Sequence, residues 1–194
     1  MSFPIVAAML AAYVIGSLDF AVVVARARGV DIYEVGSGNP GTSNVLRTMG
    51  KGAAAATMMG DVLKGVIAAA IGFSAAGGWG AAAAGFFAVV GHCFPLFHQF
   101  KGGKGVATAA GVLLWIVPRS ALVLIAVWAI IVAVTRVASI GSLSVLVLAI
   151  PFAWYEGVEW PGLLWLLAAV SLVAYRHKGN IGRLFGSGER KVMS

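Results

Sequence analysis

Long apolar runs are broken by short clusters of glycine, serine, asparagine and charge, and those clusters set the expected elements. The runs predict helices at Phe3–Ala25, Ala53–Ala76, Trp79–Pro95, Val106–Val117, Ser120–Val134, Ile140–Tyr155 and Gly162–Tyr175. A bilayer core about 30 Å thick takes about 20 residues of helix to cross. The pattern therefore predicts an all-α integral membrane protein, a bundle of seven transmembrane helices forming a single polytopic domain over residues 1–194. Several runs are short, so they must thin the bilayer, borrow residues from their loops, or pack inside the bundle. Five spans result if the short runs are re-entrant. The alanine and glycine of Ala53–Ala56, Ala68–Ala70 and Ala81–Gly85 suit close helix approach, where van der Waals packing replaces the hydrophobic effect. No internal repeat is visible, nor the paired broken helices of an inverted-repeat transporter.

Composition supports the membrane reading. Apolar residues make up 60% and charged residues 11% of 194, against about 45–50% and 25% in soluble domains. A lone water-soluble globule and a disordered chain are both excluded. The first run lacks a basic leader segment and reads as a retained helix. The single cysteine, Cys93, lies in an apolar run and reads as a small packed hydrophobe.

The formal charge of +7 turns this pattern into a topology. With seven alternating spans and the N-terminus outside, Arg26, Arg28, Arg47, Lys51, Lys101, Lys104, Arg136, Arg176, Lys178, Arg183, Arg190 and Lys191 all fall on the cytoplasmic side. Arg119, Glu156 and Glu159 fall outside, and Lys64 within a span. Positive loops stay inside, so the N-terminus is expected outside and the C-terminus in the cytoplasm.

Four polar regions share that inner side. Gly36-Ser37-Gly38-Asn39-Pro40-Gly41-Thr42-Ser43-Asn44-Val45-Leu46-Arg47 matches G-x-G-x-x-G in letters but lacks the strand context of a dinucleotide site. Its consecutive amides can still form an anion-binding nest, and Arg47 adds a planar fork suited to phosphate. Any one of its glycines is explained by a flexible turn; the cluster with its cation is better explained by an anion. The second region, Gly91-His92 through Lys101-Gly102-Gly103-Lys104-Gly105 to Thr108, is not a Walker A loop. It opens a helix, where free N–H groups and the dipole favour an anion, although a snorkelling lysine pair would look alike. Thr135, Arg136, Ser139, Ser142 and Ser144 form the third, equally readable as helix caps. In the tail, His177 and Asn180 share one face of any continued helix. Asp61 and Lys64 share the same spacing within a span and read as a structural pair, with Asp19 similarly placed. His92 and His98 lack ligand companions at metal spacing. The residues thus point to a membrane-embedded site for phosphorylated, lipid-like ligands.

Three segments in order resemble the signature motifs of one family: Gly36–Arg47; Gly91-His92 through Phe97 and Phe100 to Thr108; and His177, Asn180-Ile181, Arg183-Leu184 and Gly188-Glu189. This is the family of bacterial acyl-phosphate:glycerol-3-phosphate acyltransferases (the PlsY type), and the resemblance spans essentially the whole chain. One departure is Gly16-Ser17-Leu18-Asp19 in place of the family's Gly-Ser-Ile-Pro, which bears on the shape of the first helix. The resemblance implies an enzyme of the bacterial inner membrane with its site facing the cytoplasm. It would move a fatty acyl group from acyl phosphate to the primary hydroxyl of sn-glycerol 3-phosphate, using no cofactor and no metal. Its implied partners are those two substrates and membrane lipids, not nucleic acid. The His-x4-Asp pattern of thioester-using acyltransferases is absent, Phe97, Gly103 and Gly182 standing where the acid would follow His92, His98 and His177. By resemblance, Ser37, Arg47, Lys104, His177 and Asn180 are the expected catalytic group. Gly36, Gly38, Asn39, Gly41, Asn44, Gly102, Gly103 and Ser142 are the expected substrate contacts. The base is left open between His177 and the substrate's own phosphate. A transporter of organic phosphate anions would also want cations and glycine loops, but the outer loops offer few donors for a second access path. A structural scaffold would leave those loops without a purpose.

Overall fold

The computed structural model describes residues 2–186 and 188–192, and the regular elements among them are helical. They are α1 (Phe3–Gly16), α2 (Phe20–Arg26), α3 (Thr42–Cys93), α4 (Val106–Ile116), α5 (Pro118–Thr135), α6 (Ala138–Tyr155), α7 (Trp160–Arg176) and α8 (Lys178–Leu184), with a 3-10 turn at Leu96–His98. Four stretches are long and apolar enough to cross a membrane: Phe3–Arg26, Thr42–His98, Pro118–Thr135 and Ala138–Tyr155.

Breaks inside these elements organise the bundle. In α3 the backbone leaves helical geometry at Gly50, Ala76 and Gly77. At Ala76-Gly77 the chain reverses, and residues 78–93 return antiparallel to residues 51–75. A Cβ on Gly72 would lie 2.2 Å from the Gly80 carbonyl oxygen, and one on Gly80 2.4 Å from that of Gly72. The two limbs therefore meet at bare backbone, which only glycine permits. This hairpin is the spine, and α1, α4 and α7 all pack on it.

The first expected helix is two helices. Asp19 sits between α1 and α2 with its carboxylate accepting from the Ala21 and Val22 N–H groups at 3.0 and 3.2 Å. An N-cap ends one helix and starts another, so a cap residue inside an apolar run hides the break. Residues 42–49 are also helical rather than loop, a short turn of helix leading into the kink at Gly50.

Helix α4 has only 11 residues, about 17 Å of length, too short to cross alone. Gly105 lies against Val89, Cys93 and Val173, so the chain before α4 dips between the second limb of α3 and α7. Glycines hold α4 tight: a Cβ on Gly65 would meet the Thr108 carbonyl oxygen at 2.1 Å, and one on Gly111 that of Val62 at 2.0 Å. Helices α5 and α6 pair with each other at the edge and expose Leu122, Val123, Ile130, Val134 and Val147, the surface expected to face lipid.

Candidate active site

Cross-links gather the cationic segments at one end of the bundle. Tyr33 donates its hydroxyl to the Lys101 carbonyl at 2.8 Å, and Arg176 bonds the Gly103 and Gly102 carbonyls at 3.0 and 2.6 Å. Arg47 Nε donates to the Lys191 carbonyl at 3.1 Å, and the Val192 N–H to that of Arg136 at 2.8 Å. Away from them, Glu156 accepts from the Ser120 N–H.

A single cavity of about 1290 Å³ opens among these segments. Drug-sized pockets run about 300–1,000 Å³, so this one has room for a lipid-sized ligand. Ser37, Asn39, Gly41, Asn44, Arg47, Lys104, Ser142, His177 and Asn180 all line it. Its other walls are apolar, from Met58, Met59, Leu63, Leu113, Leu124, Ile125, Trp128, Leu146 and Ile150. One cavity thus joins a cationic, donor-rich end to a hydrocarbon-lined one.

Each polar group has a specific setting. Among the described residues nothing hydrogen-bonds the Lys104 ammonium. Burial, against the opposing pull of Glu189 and with help from Arg183, Arg176 and Arg47, holds it down to about 8. The Arg47 fork is steered by the Asn44 side-chain oxygen at 3.4 Å as well as by the tail. His177 donates Nδ1–H to the Val173 carbonyl at 2.7 Å, which leaves Nε2 an acceptor. Burial pushes its imidazole down to about 4, with Lys104 adding to the shift while the Val173 bond and Glu189 oppose it, so it is neutral near pH 7. Asn180 donates to Glu189 at 2.7 Å, and Arg183 pairs with the same carboxylate at 3.2 Å. Burial alone would raise the Glu189 carboxyl, but the Arg190 N–H, Arg183 and Asn180 outweigh it and hold it below its usual range. The tail thereby presents an anion to groups expected to bind phosphate.

Several of the expected contacts brace the loops. Gly36, Gly38, Gly102 and Gly103 are not in the cavity wall. Gly36 and Gly38 adopt φ of 62° and 68°, conformations that suit glycine, and a Cβ on Gly36 would strike the Asn44 side chain. The Asn44 amide is fully engaged: its oxygen accepts from Ser37 N–H at 2.8 Å, and its nitrogen donates to the Val35 carbonyl at 3.0 Å. It brackets the loop from the cavity wall. Gly102 and Gly103 pack under Lys104, where a Cβ would meet His92 and Pro95 or Pro40. Ser142 gives its hydroxyl proton to the Ala138 carbonyl at 2.9 Å and accepts from Trp128 Nε1 at 3.2 Å.

Other wall residues belong to the polar regions of the sequence but not to the expected catalytic group or substrate contacts. Thr42 and Ser139 have buried hydroxyl oxygens without partners, both on the cavity. Ser139 precedes Ser142 by one helical turn, a spacing visible in the sequence. Arg183 and Glu189, which belong to the third resembling segment, stand in the same wall with Arg176.

The family model for glycerol-3-phosphate acyltransferase matches residues 6–187. A glycerol-3-phosphate acyltransferase of Rubrobacter xylanophilus is 44% identical over 188 residues, covering 94% of this chain and 92% of its own. One from Azotobacter vinelandii is 41% identical over 181 residues, with 92% and 95% covered. Among solved structures, the crystal structure of PlsY (YgiH), an integral membrane glycerol 3-phosphate acyltransferase, in its glycerol 3-phosphate form superposes with a TM-score of 0.92. That match has 37% identity and covers 96% of this chain and 94% of the other.

Proposed function

The chain belongs to the glycerol-3-phosphate acyltransferase family, and from that premise we propose that it takes its acyl group from acyl phosphate. The acyl group passes to the primary hydroxyl of sn-glycerol 3-phosphate, giving lysophosphatidic acid and inorganic phosphate. The observation that carries this reading is the one cavity that joins cations to a hydrocarbon lining. Both substrates bear phosphate and one bears a fatty chain, and the cavity offers both environments.

Bringing two phosphates together is the main obstacle. Two dianions about 6 Å apart repel by roughly 11 kcal/mol at an effective dielectric of 20. Arg47, Lys104 and Asn180 offset that repulsion, and the same donors stabilise the oxyanion of the tetrahedral intermediate. Each such donor contributes about 2.7–4 kcal/mol. The glycerol hydroxyl attacks the acyl carbonyl carbon, the C–O bond to phosphate breaks, and phosphate leaves with the electron pair. A mixed anhydride needs little acid help. His177 Nε2, a neutral acceptor, can take the hydroxyl proton, and so can a phosphate oxygen of the substrate. The acyl chain runs between α4, α5 and α6, against Trp128. The enzyme sits in the bacterial inner membrane with this site toward the cytoplasm, an orientation supported by the gathering of the cationic segments.

Purified protein in detergent, given acyl phosphate and glycerol 3-phosphate, should release phosphate only when both are present and form lysophosphatidic acid in equal amount. Uptake of glycerol 3-phosphate into liposomes without product would overturn the enzyme in favour of a transporter. His177→Ala separates the two bases: if the neutral-pH limb of kcat keeps its shape and most of its rate, the substrate phosphate takes the proton.

A further inference from the structure

Beneath this site lies a cluster of charge that the reaction scheme does not use. Asp61, Lys64 and His92 are 1%, 2% and 4% exposed, on the two limbs of α3 in the middle of an apolar bundle. The Lys64 ammonium lies 2.8 Å from each of three acceptors: Asp61 Oδ1, His92 Nδ1 and the Leu18 carbonyl oxygen. An ammonium carries three N–H donors and no acceptor. Lys64 donates to His92 Nδ1 and the Leu18 carbonyl and pairs by charge with Asp61, whose Oδ1 also lies 3.4 Å from His92 Nδ1. With Lys64 charged, Nδ1 accepts from it and the ring proton resides on Nε2. Buried ion pairs are often no more stabilising than apolar residues of the same volume, and ionisable groups at membrane depth mark functional sites. Bundle stability is a weak reason for this cluster.

The position of Nε2 supplies a stronger one. His92 is part of the cavity wall, and its carbonyl accepts the Gly103 N–H at 3.0 Å. A Cβ on Gly103 would lie 2.2 Å from Nε2, so the ring edge lies against the residue preceding Lys104. Among the described residues Nε2 has no hydrogen-bond partner. His177 on the same wall has the opposite arrangement, its Nδ1–H occupied and its Nε2 accepting.

We propose that His92 binds a substrate phosphate oxygen through its Nε2–H, with Lys64, held by Asp61, as the positioning residue that fixes the tautomer. The inference rests on reading the cavity as the acyl-transfer site. It assigns the two histidines complementary duties: His92 donates to an anion, and His177 accepts from a hydroxyl. Gly103 must be glycine on this view because a side chain would cover the donor.

Steady-state kinetics on the full chain test the inference. His92→Ala should raise KM for one substrate about tenfold or more, as loss of a hydrogen bond to a charged group does, while kcat moves much less. His92→Gln, which carries an amide N–H toward the Nε2 position, should recover most of the loss; His92→Asn, whose shorter amide does not reach, should not. Lys64→Met should shift KM in the same direction. A rise confined to glycerol 3-phosphate assigns the contact to its phosphate, and one confined to acyl phosphate assigns it to the donor. A second readout needs no variant at the site: histidine labelled with nitrogen-15, with His98→Gln simplifying assignment. His92 should show the Nε2–H tautomer, and that resonance should move on addition of glycerol 3-phosphate or an acyl phosphonate. An Nδ1–H tautomer, a resonance unmoved by either compound, or an unchanged KM in folded His92→Ala protein would overturn the inference. Wild-type turnover is measured in the same preparation. Turnover with an unresponsive His92 defeats this inference alone, whereas a responsive His92 without turnover defeats the acyl-transfer reading and leaves the phosphate donor standing.

Discussion

Lys104 shows how one side chain couples burial to binding. Held down to about 8 by burial and cationic neighbours, it is charged at neutral pH and loses its proton just above. An anion nearby favours the charged form, so deprotonation must weaken phosphate binding. KM for glycerol 3-phosphate should therefore rise as pH passes about 8, and Lys104→Arg, which stays charged, should move that limb upward. His177 behaves in the opposite sense. Its folded imidazole protonates near 4, against 6.5 for an ordinary one. The unfolded chain binds the extra proton between those values, so stability falls as pH drops through that window, by up to about 3 kcal/mol. Thermal unfolding from pH 6.5 to 4 should show that loss in the wild type and a smaller one in His177→Gln. Arg47, Lys104, His177 and Asn180 entered the sequence reading through the motifs that carry the resemblance, and all four line the cavity. The duties of Gly36, Asn44, Gly102 and Gly103 could not be read that way. Whether an amide faces a ligand or braces a loop depends on Ser37, Val35, His92 and Pro40, which reach it only through tertiary contact.

The helices follow from composition wherever an apolar run ends in polar residues, which is why α4 to α7 lie close to their expected bounds. Composition fails where a polar stretch is helical or an apolar one is broken. Residues 42–49 read as loop because serine, threonine and asparagine favour loops, yet they form the helical turn that aims Arg47. The break at Asp19 is invisible because its partners, the Ala21 and Val22 N–H groups, belong to the backbone. Between elements, glycine sets the separation. Gly111→Ala would drive a Cβ into the Val62 carbonyl and force α4 from α3, a cost of about 1–3 kcal/mol or more. Its thermal midpoint in detergent should fall and activity with it. Gly78→Ala is the contrast: nothing lies within 4 Å of the added carbon and φ is not positive, so stability should hold or rise by about 0.5–1 kcal/mol.

At the scale of the whole molecule, the cationic segments converge on one end, while the exposed Trp154, Tyr155 and Trp160 mark the other. Aromatic belts sit at membrane interfaces, so the two ends should face opposite compartments. Cys93 is buried and leaves the surface free for reporter cysteines. Lys178→Cys should react with a membrane-impermeant maleimide in inverted vesicles only, and Tyr155→Cys in right-side-out vesicles only; the reverse would place the site outside. On the proposed reaction, one cavity with cations and a hydrocarbon wall accommodates both substrates at once, and the acyl group passes directly between them. The most direct measurement is the initial rate over a matrix of both substrate concentrations. Direct transfer predicts double-reciprocal lines that intersect, the mark of a complex holding both substrates. Parallel lines, the mark of an acylated enzyme formed before glycerol 3-phosphate arrives, would contradict it.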